Sequence, residues 1–181
     1  MALTLSQKIV RLHEALADAR IPHAFGGALA LAYCTHDPRG TNDIDVNLFV
    51  RINRARSVLD RLPPGIVVDG SDLERIHKDG QSRLWWDGSP VDVFFSNHPF
   101  HDEARKRVQT VPFADSEIPV LGCTDLVVFK TLYGRGKDLV DIENMHEAGT
   151  VDAQAALASV EGLLGRDHPH GVALARILGQ G

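Results

Sequence analysis

The chain is poor in sulfur and in aromatic rings: of 181 residues, two are Cys, two Met, two Trp and two Tyr, and aromatics make up 6%. Two cysteines cannot build the dense disulfide framework of a small secreted scaffold, and no Cys-x-x-Cys or Cys/His spacing offers a zinc site. Cys34 and Cys123 stand among apolar residues and far apart in sequence, which predicts separate buried thiols in a reducing, cytoplasmic setting. No run of about 18 apolar residues exists to cross a bilayer, and no apolar stretch follows a basic start, so a soluble protein without a membrane partner is expected. A basic excess is missing as well. The net charge of −5 argues against a general nucleic-acid coat, although a local basic groove acts within its own screening length. The Gly26-Gly27 pair does not meet the dinucleotide fingerprint; there is no Gly-Lys-Ser/Thr phosphate loop and no Gly-x-Ser-x-Gly elbow. The nine histidines are scattered without zinc spacing.

What is present is an ordinary globular balance, 44% hydrophobic and 24% charged, enough for a sizeable core. Leu5, Ile9, Leu12 and Leu16 recur at helical spacing after Thr4 or Ser6 as cap, with Lys8, Arg11, Glu14 and Asp18 on the other faces. Arg51 to Leu62 reads as a helix carrying Arg51, Arg54, Arg56 and Arg61, a solvated face or a phosphate path. Strands are expected near residues 66–68, 83–86, 91–95, 110–113 and 118–121. The second and third form a hairpin turned by Asp87-Gly88, with Trp85 and Trp86 capping the core. A short helix or turn is expected over Ser71 to His77, and a helix over His101 to Val108. Another runs from Cys123 or Thr124 to Gly134, the next starts at Gly136, and two more fill 152–178, broken at 165–169. Two divisions follow: a core over residues 1–122 with a C-terminal helical part over 123–181 packed on it, or one continuous domain.

The stretch from His23 to Val50 carries the chemistry. It reads as a short strand, a Gly26-Gly27 turn, an apolar helix, a polar bend through Asp37-Pro38-Arg39-Gly40, and a strand that opens on Thr41-Asn42-Asp43-Ile44-Asp45. Residues two apart on a strand share a face, so Asp43 and Asp45 point the same way. Like charges that close call for a cation, and hard oxygen donors suit Mg²⁺ better than Zn²⁺. Free N–H groups at a Gly-Gly helix mouth suit a phosphate. Asp92 stands among Val91, Val93, Phe94 and Phe95, where an unpartnered carboxylate is costly. It is either paired or metal-bound, or else faces water from an edge strand. Lys130 lies in an apolar helix, directed at a phosphate or snorkelling to solvent.

Gly26-Gly27, Thr41-x-Asp43-x-Asp45 and the later lone Asp92 resemble the nucleotidyltransferase superfamily related to polymerase beta. The segment Phe129-Lys130 through Arg135-Gly136-Lys137-Asp138 to Asp141-Ile142 looks like that of the AbiEii-type toxin branch, the resemblance covering roughly residues 23–146. Lys130 and Asp141 stand closer together than that branch usually spaces them. The resemblance implies an α+β fold, a nucleotidyltransferase-like mixed sheet flanked by helices with further helices at the C-terminus. It implies a Mg²⁺-dependent enzyme moving a nucleoside monophosphate from a nucleoside triphosphate to an acceptor. Asp43, Asp45 and Asp92 would hold the metal, and Asp92 would also accept the attacking hydroxyl's proton. Gly26, Gly27 and Thr41 would cradle the triphosphate, Lys130 would neutralise its charge, and Asp141 would orient Lys130 or the metal cluster. Arg39 would contact phosphate or anchor its loop. The toxin branch implies the 3′ end of tRNA as acceptor and an antitoxin partner. A small molecule such as an aminoglycoside, a partner protein, or a non-catalytic regulatory role stand as alternatives. Clustered carboxylates favour an active member, because a purely structural domain gains nothing from them.

Overall fold

The computed structural model describes residues 3–179, which fall into two compact units. Unit 1 holds residues 1–27 and 40–120, and unit 2 holds 28–39 and 121–181.

Unit 1 is built on one seven-stranded mixed sheet of order β3-β4-β5-β2-β1-β7-β6. Its strands are β1 (His23–Phe25), β2 (Ile44–Arg51), β3 (Ile66–Val67), β4 (Gln81–Trp86), β5 (Ser89–Ser96), β6 (Gln109–Phe113) and β7 (Ser116–Val120). β2 and β5 run parallel with Ile44 level with Val91 and Val46 with Val93, while β1 lies antiparallel to β2 and parallel to β7. Ile44, Val46, Val91, Val93, Phe95, Leu84 and Trp86 are buried, and the residues between them on β5, Asp92 and Phe94, lie on the opposite, half-exposed face. This alternation is what a strand period of two produces when one face meets the core.

Helix α1 (Leu5–Asp18) starts at a capping box in which the Thr4 side chain accepts from the Gln7 amide and Gln7 Oε1 accepts from the Thr4 amide. Ile9, Leu12 and Leu16 bury its apolar stripe. Lys8, expected on a solvated face, is instead buried: its ammonium donates to the Trp86 and Asp87 carbonyls at 2.6 and 3.2 Å and to Ser89 Oγ at 3.1 Å. The reason is local. The tight Asp87-Gly88 turn leaves carbonyls pointing inward, and a lysine stem is long enough to reach them. The helix expected over 51–62 is shorter, because β2 runs on to Arg51, one 3-10 turn covers Ile52–Arg54, and only α3 (Ala55–Leu59) is α-helical. Arg51, Arg54, Arg56 and Arg61 are all exposed. Helices α4 (Gly70–Asp79) and α5 (Phe100–Lys106) complete unit 1. Gly80 ends α4 in the left-handed conformation that glycine tolerates best.

Unit 2 is helical: α2 (Gly27–Thr35) belongs to it from residue 28, with α6 (Cys123–Tyr133), α7 (Gly136–Glu147), α8 (Ala153–Leu164) and α9 (Pro169–Ile177). Gly134 closes α6 with a positive φ of 61°, and a Cβ there would lie 2.5 Å from the His170 ring. The cysteines depart from expectation. Cys34 on α2 and Cys123 at the start of α6 form a disulfide, their Cα atoms 5.5 Å apart across a sequence separation of 89. Separate thiols were the natural reading of two distant cysteines, but the packing of unit 2 brings them together. The argument for a reducing compartment drawn from free thiols falls with it. Among the described residues, no helix is long and apolar enough to cross a membrane.

Candidate active site

The register of three neighbouring strands assembles the site in unit 1. Asp45 on β2 lies level with Asp92 on β5, and Asp92 lies level with Arg83 on β4. Residues opposite one another share a sheet face, so two carboxylates and a guanidinium form a row. Asp43 stands just ahead of β2, which opens at Ile44, and its carboxylate joins the row from the loop. β5 lies between β4 and β2, so Asp92 is not an edge-strand aspartate facing water.

Arg83 is the residue that sequence reasoning missed. Its Nε donates to Asp92 Oδ1 at 2.8 Å and its Nη2 to Asp92 Oδ2 at 2.7 Å, a two-pronged pairing, while Asp43 Oδ2 lies 3.7 Å from the same Nη2. The Asp92 side chain is 18% exposed and that of Arg83 52%, so the pair faces solvent on the arginine side. Hydrogen bonding to Asp92, against the cost of burial, and then the charges of Asp92, Asp43 and Asp45 raise the guanidinium pKa further above its ordinary value. The signal was available: in a hairpin turned by Asp87-Gly88, counting back from the turn places residue 83 opposite 92.

The glycine pair shapes the floor beneath Asp45. Gly26 N–H donates to the Asp45 carbonyl at 2.9 Å, so this amide is committed to the sheet rather than open to a phosphate. Gly27 has φ of 49°, and a Cβ on it would overlap the Asp45 carboxylate. The glycine is required twice, by the backbone angle and by the closeness of Asp45. Thr41 Oγ1 accepts from the Asp43 amide at 3.1 Å and lies 3.3 Å from the Asp43 carbonyl, a local turn that sets the approach to β2.

Among the described residues, no three His, Cys, Asp or Glu side chains converge closely enough to hold a metal ion as they stand. The expected Asp43–Asp45–Asp92 metal cluster is therefore not closed. The physical reason is visible at Asp92, whose two oxygens are both turned onto Arg83. The donor chemistry nevertheless fits a divalent cation of the Mg²⁺ type, because all three donors are carboxylates and the row already gathers a counter-cation.

Trp86 is buried as expected, but Trp85 is 50% exposed, two residues from Arg83 on the same strand face and level with exposed Val67 across β3. It does not cap the core.

In unit 2, Lys130 is neither snorkelling nor open. Its side chain is 9% exposed, and its Nζ sits 2.6 Å from Asp141 Oδ2 and 3.5 Å from Asp138 Oδ1. Arg39 brackets Asp141, with Nη2 donating to Oδ2 at 3.1 Å and Nη1 ion-paired with Oδ1 at 2.9 Å. Arg135 brackets Asp138, donating from Nε at 2.6 Å. Burial would raise the Asp138 pKa, but the Arg135 hydrogen bond and the charges of Lys130 and Arg135 outweigh it and hold the carboxyl below its ordinary value. Two buried carboxylates and three cations thus form a closed network, with the arginines at its wet edge.

The fold is shared with solved structures. The chain is similar to the antibiotic-resistance factor ANT(2'')-Ia at 12% identity, with a TM-score of 0.62 over 92% of this chain and 94% of that one. It is likewise similar to an antigenic nucleotidyltransferase-like protein from Paracoccidioides brasiliensis at 17% identity, with a TM-score of 0.51 over 94% of this chain and 91% of that one. At such identities the likeness is one of fold, and the fold is nucleotidyltransferase-like. No family model matches the chain. No curated protein matches it.

Proposed function

We propose that the chain is a Mg²⁺-dependent nucleotidyltransferase that moves a nucleoside monophosphate from a nucleoside triphosphate to an acceptor hydroxyl. One observation carries the reading: Asp45 and Asp92 in register on adjacent parallel strands, with Asp43 beside them on the same guanidinium. Carboxylates gathered on one face of a sheet do nothing for folding, and they are what metal-assisted phosphoryl chemistry needs. Asp43, Asp45 and Asp92 would hold the cation, which when bound offsets the charge of the triphosphate. Asp92 would also accept the acceptor hydroxyl's proton once its oxygens are free of Arg83. Gly27 fixes Asp45 against the turn, and Gly26 and Thr41 shape the backbone that receives the phosphates. Lys130 and Asp141 are assigned to nucleotide binding on the resemblance of their segment; within unit 2 they are bound to each other.

For the acceptor, the AbiEii-like segment supports a tRNA 3′ end, with the chain as the toxin of a toxin–antitoxin pair. The exposed Arg51, Arg54, Arg56 and Arg61 supply phosphate contacts for such a partner. The likeness of fold to an antibiotic-resistance factor favours a second reading, a small aminoglycoside-like acceptor. The test is incubation of the pure protein with each α-labelled nucleotide and Mg²⁺, in parallel with total tRNA and with a panel of aminoglycosides. Label on RNA that weakens steeply with salt supports the first acceptor, and label on a small molecule the second. No transfer by wild type under either condition, with no difference from Asp43→Asn, would sink the enzymatic reading.

A further inference from the structure

The position of Arg83 has a consequence for how the site works. It reaches the carboxylate row from the neighbouring strand, holds both oxygens of Asp92, and lies within ion-pair distance of Asp43. A two-pronged arginine–carboxylate pair is the strongest geometry available to such a side chain. Yet half of the arginine is in water, where such pairs are worth little and break readily. Asp92 and Asp43 share this guanidinium and Asp45 stands level with Asp92, so the positive charge that offsets the row in this chain is a side chain.

We propose that Arg83 is an exchangeable counter-cation, a positioning residue that holds Asp92 and Asp43 in the cation-free protein and gives up Asp92 when a divalent cation arrives. This rests on the reading of the carboxylates as a metal site, and deepens it. Arg83 keeps the row charge-compensated and its side chains ordered without metal. Metal binding then has to displace a guanidinium, which lowers apparent affinity for the bare cation. A guanidinium set free beside the site can pair with phosphate oxygens, so a cation bringing a triphosphate displaces it more readily than the cation alone. A merely structural Arg–Asp pair predicts none of this, since its removal would loosen the site and weaken metal binding.

The experiment uses Mn²⁺ as probe, with affinity read by electron paramagnetic resonance of the free ion, on wild type, Arg83→Gln and Arg83→Lys. Melting curves in chelator run beside it. Removing the competitor should tighten binding of Mn²⁺ alone by about tenfold in Arg83→Gln, the equivalent of roughly 1.4 kcal/mol. The same variant should melt lower than wild type in chelator and regain the difference on adding Mn²⁺. Arg83→Lys, charged but without the fork, should fall between them. With Mg²⁺ in place of Mn²⁺, the Arg83 Nε–H resonance should shift in wild type as its bond to Asp92 is lost. Equal or weaker Mn²⁺ binding in Arg83→Gln, with wild type binding normally, overturns the exchange and leaves the metal site standing. No Mn²⁺ binding by any of the three proteins overturns the metal site itself, and the exchange with it.

Discussion

Replacing Gly27 by alanine separates two costs that are usually confounded. The first is the backbone: Gly27 has φ of 49°, and a residue with a Cβ in that region costs about 1–2 kcal/mol. The second is specific, because the new Cβ would overlap the Asp45 carboxylate. Asp45 must then leave its rotamer, at a further cost of about 0.5–1.5 kcal/mol, and leave the row it shares with Asp92. Gly88 is the internal control. It has φ of 78° in the hairpin turn, and a Cβ there meets nothing within 4 Å. Gly88→Ala should therefore lower the melting temperature by the backbone part alone, a few degrees for a chain of this size, and leave nucleotide transfer intact. Gly27→Ala should melt lower still and lose transfer by about 100-fold, because a displacement near 1 Å at a reacting centre is worth that much. Melting curves and α-labelled nucleotide transfer are read on both variants. A third measurement tests the cause: in an Asp45→Ala background most of the excess cost of Gly27→Ala over Gly88→Ala should disappear, since the overlapping carboxylate is gone and only the residue-45 Cβ, 3.0 Å away, remains. An excess that is undiminished in that background, or Gly27→Ala with wild-type transfer, would refute the claim that Gly27 exists to seat Asp45.

Asp43→Asn should abolish transfer while leaving the melting temperature in chelator within a degree or two of wild type, because Asp43 meets Arg83 only loosely and in solvent; a drop of many degrees would make Asp43 a structural acceptor. Lys130→Ala should destabilise by about 3 kcal/mol, since it leaves Asp138 and Asp141 buried with only the flanking arginines, and chemical denaturation reads this directly. His23 is held neutral, its pKa lowered to about 4 from 6.5 chiefly by burial, with its bond to the Ile21 carbonyl opposing and the charge of His13 assisting. The unfolded chain takes up that proton first, so stability is complete above about pH 6.5 and falls as pH drops toward 4, by at most about 3 kcal/mol; His23→Gln should flatten this part of the profile. Reduction, or Cys34→Ser with Cys123→Ser, should lower stability by up to about 4–5 kcal/mol on the loop-closure model, read by melting with and without reductant.

The elements were legible wherever periodicity and punctuation agreed. Thr4, one of the two caps offered for the first helix, with Asp87-Gly88, Gly134 and the break before Pro169, each mark an observed boundary. The helix over 51–62 was overread because its arginines fit a helical face equally well as a strand end, and only the pairing of Arg51 with Ser96 decides between them. The carboxylates were legible as types in a pattern, and the register shows which of them stand level. What could not be read was pairing across long separations. Lys8 beneath residues 86 to 89, Cys34 against Cys123, and Lys130 between two aspartates all depend on packing that no local pattern encodes. Arg83 and Trp85 lay closer to hand, because both follow from counting back across the hairpin, and an exposed tryptophan beside an arginine is a surface feature rather than a core one.

The disulfide also makes part of this chain a ring. The covalent loop from Cys34 to Cys123 contains β2 through β7, six strands of the sheet, while β1 comes from outside it. Yet β1 is the strand that joins the ring's two ends, sitting between β2 and β7. The strands on either side of β1 are thus tied to each other by the covalent loop as well as through β1 itself. A protease that cuts the exposed link between β5 and α5 would release nothing while the disulfide stands. Under reductant, the same cut would leave β2–β5 and β6–β7 on separate chains, and within the sheet the two pieces would meet where Phe25 of β1 pairs with Val120 of β7.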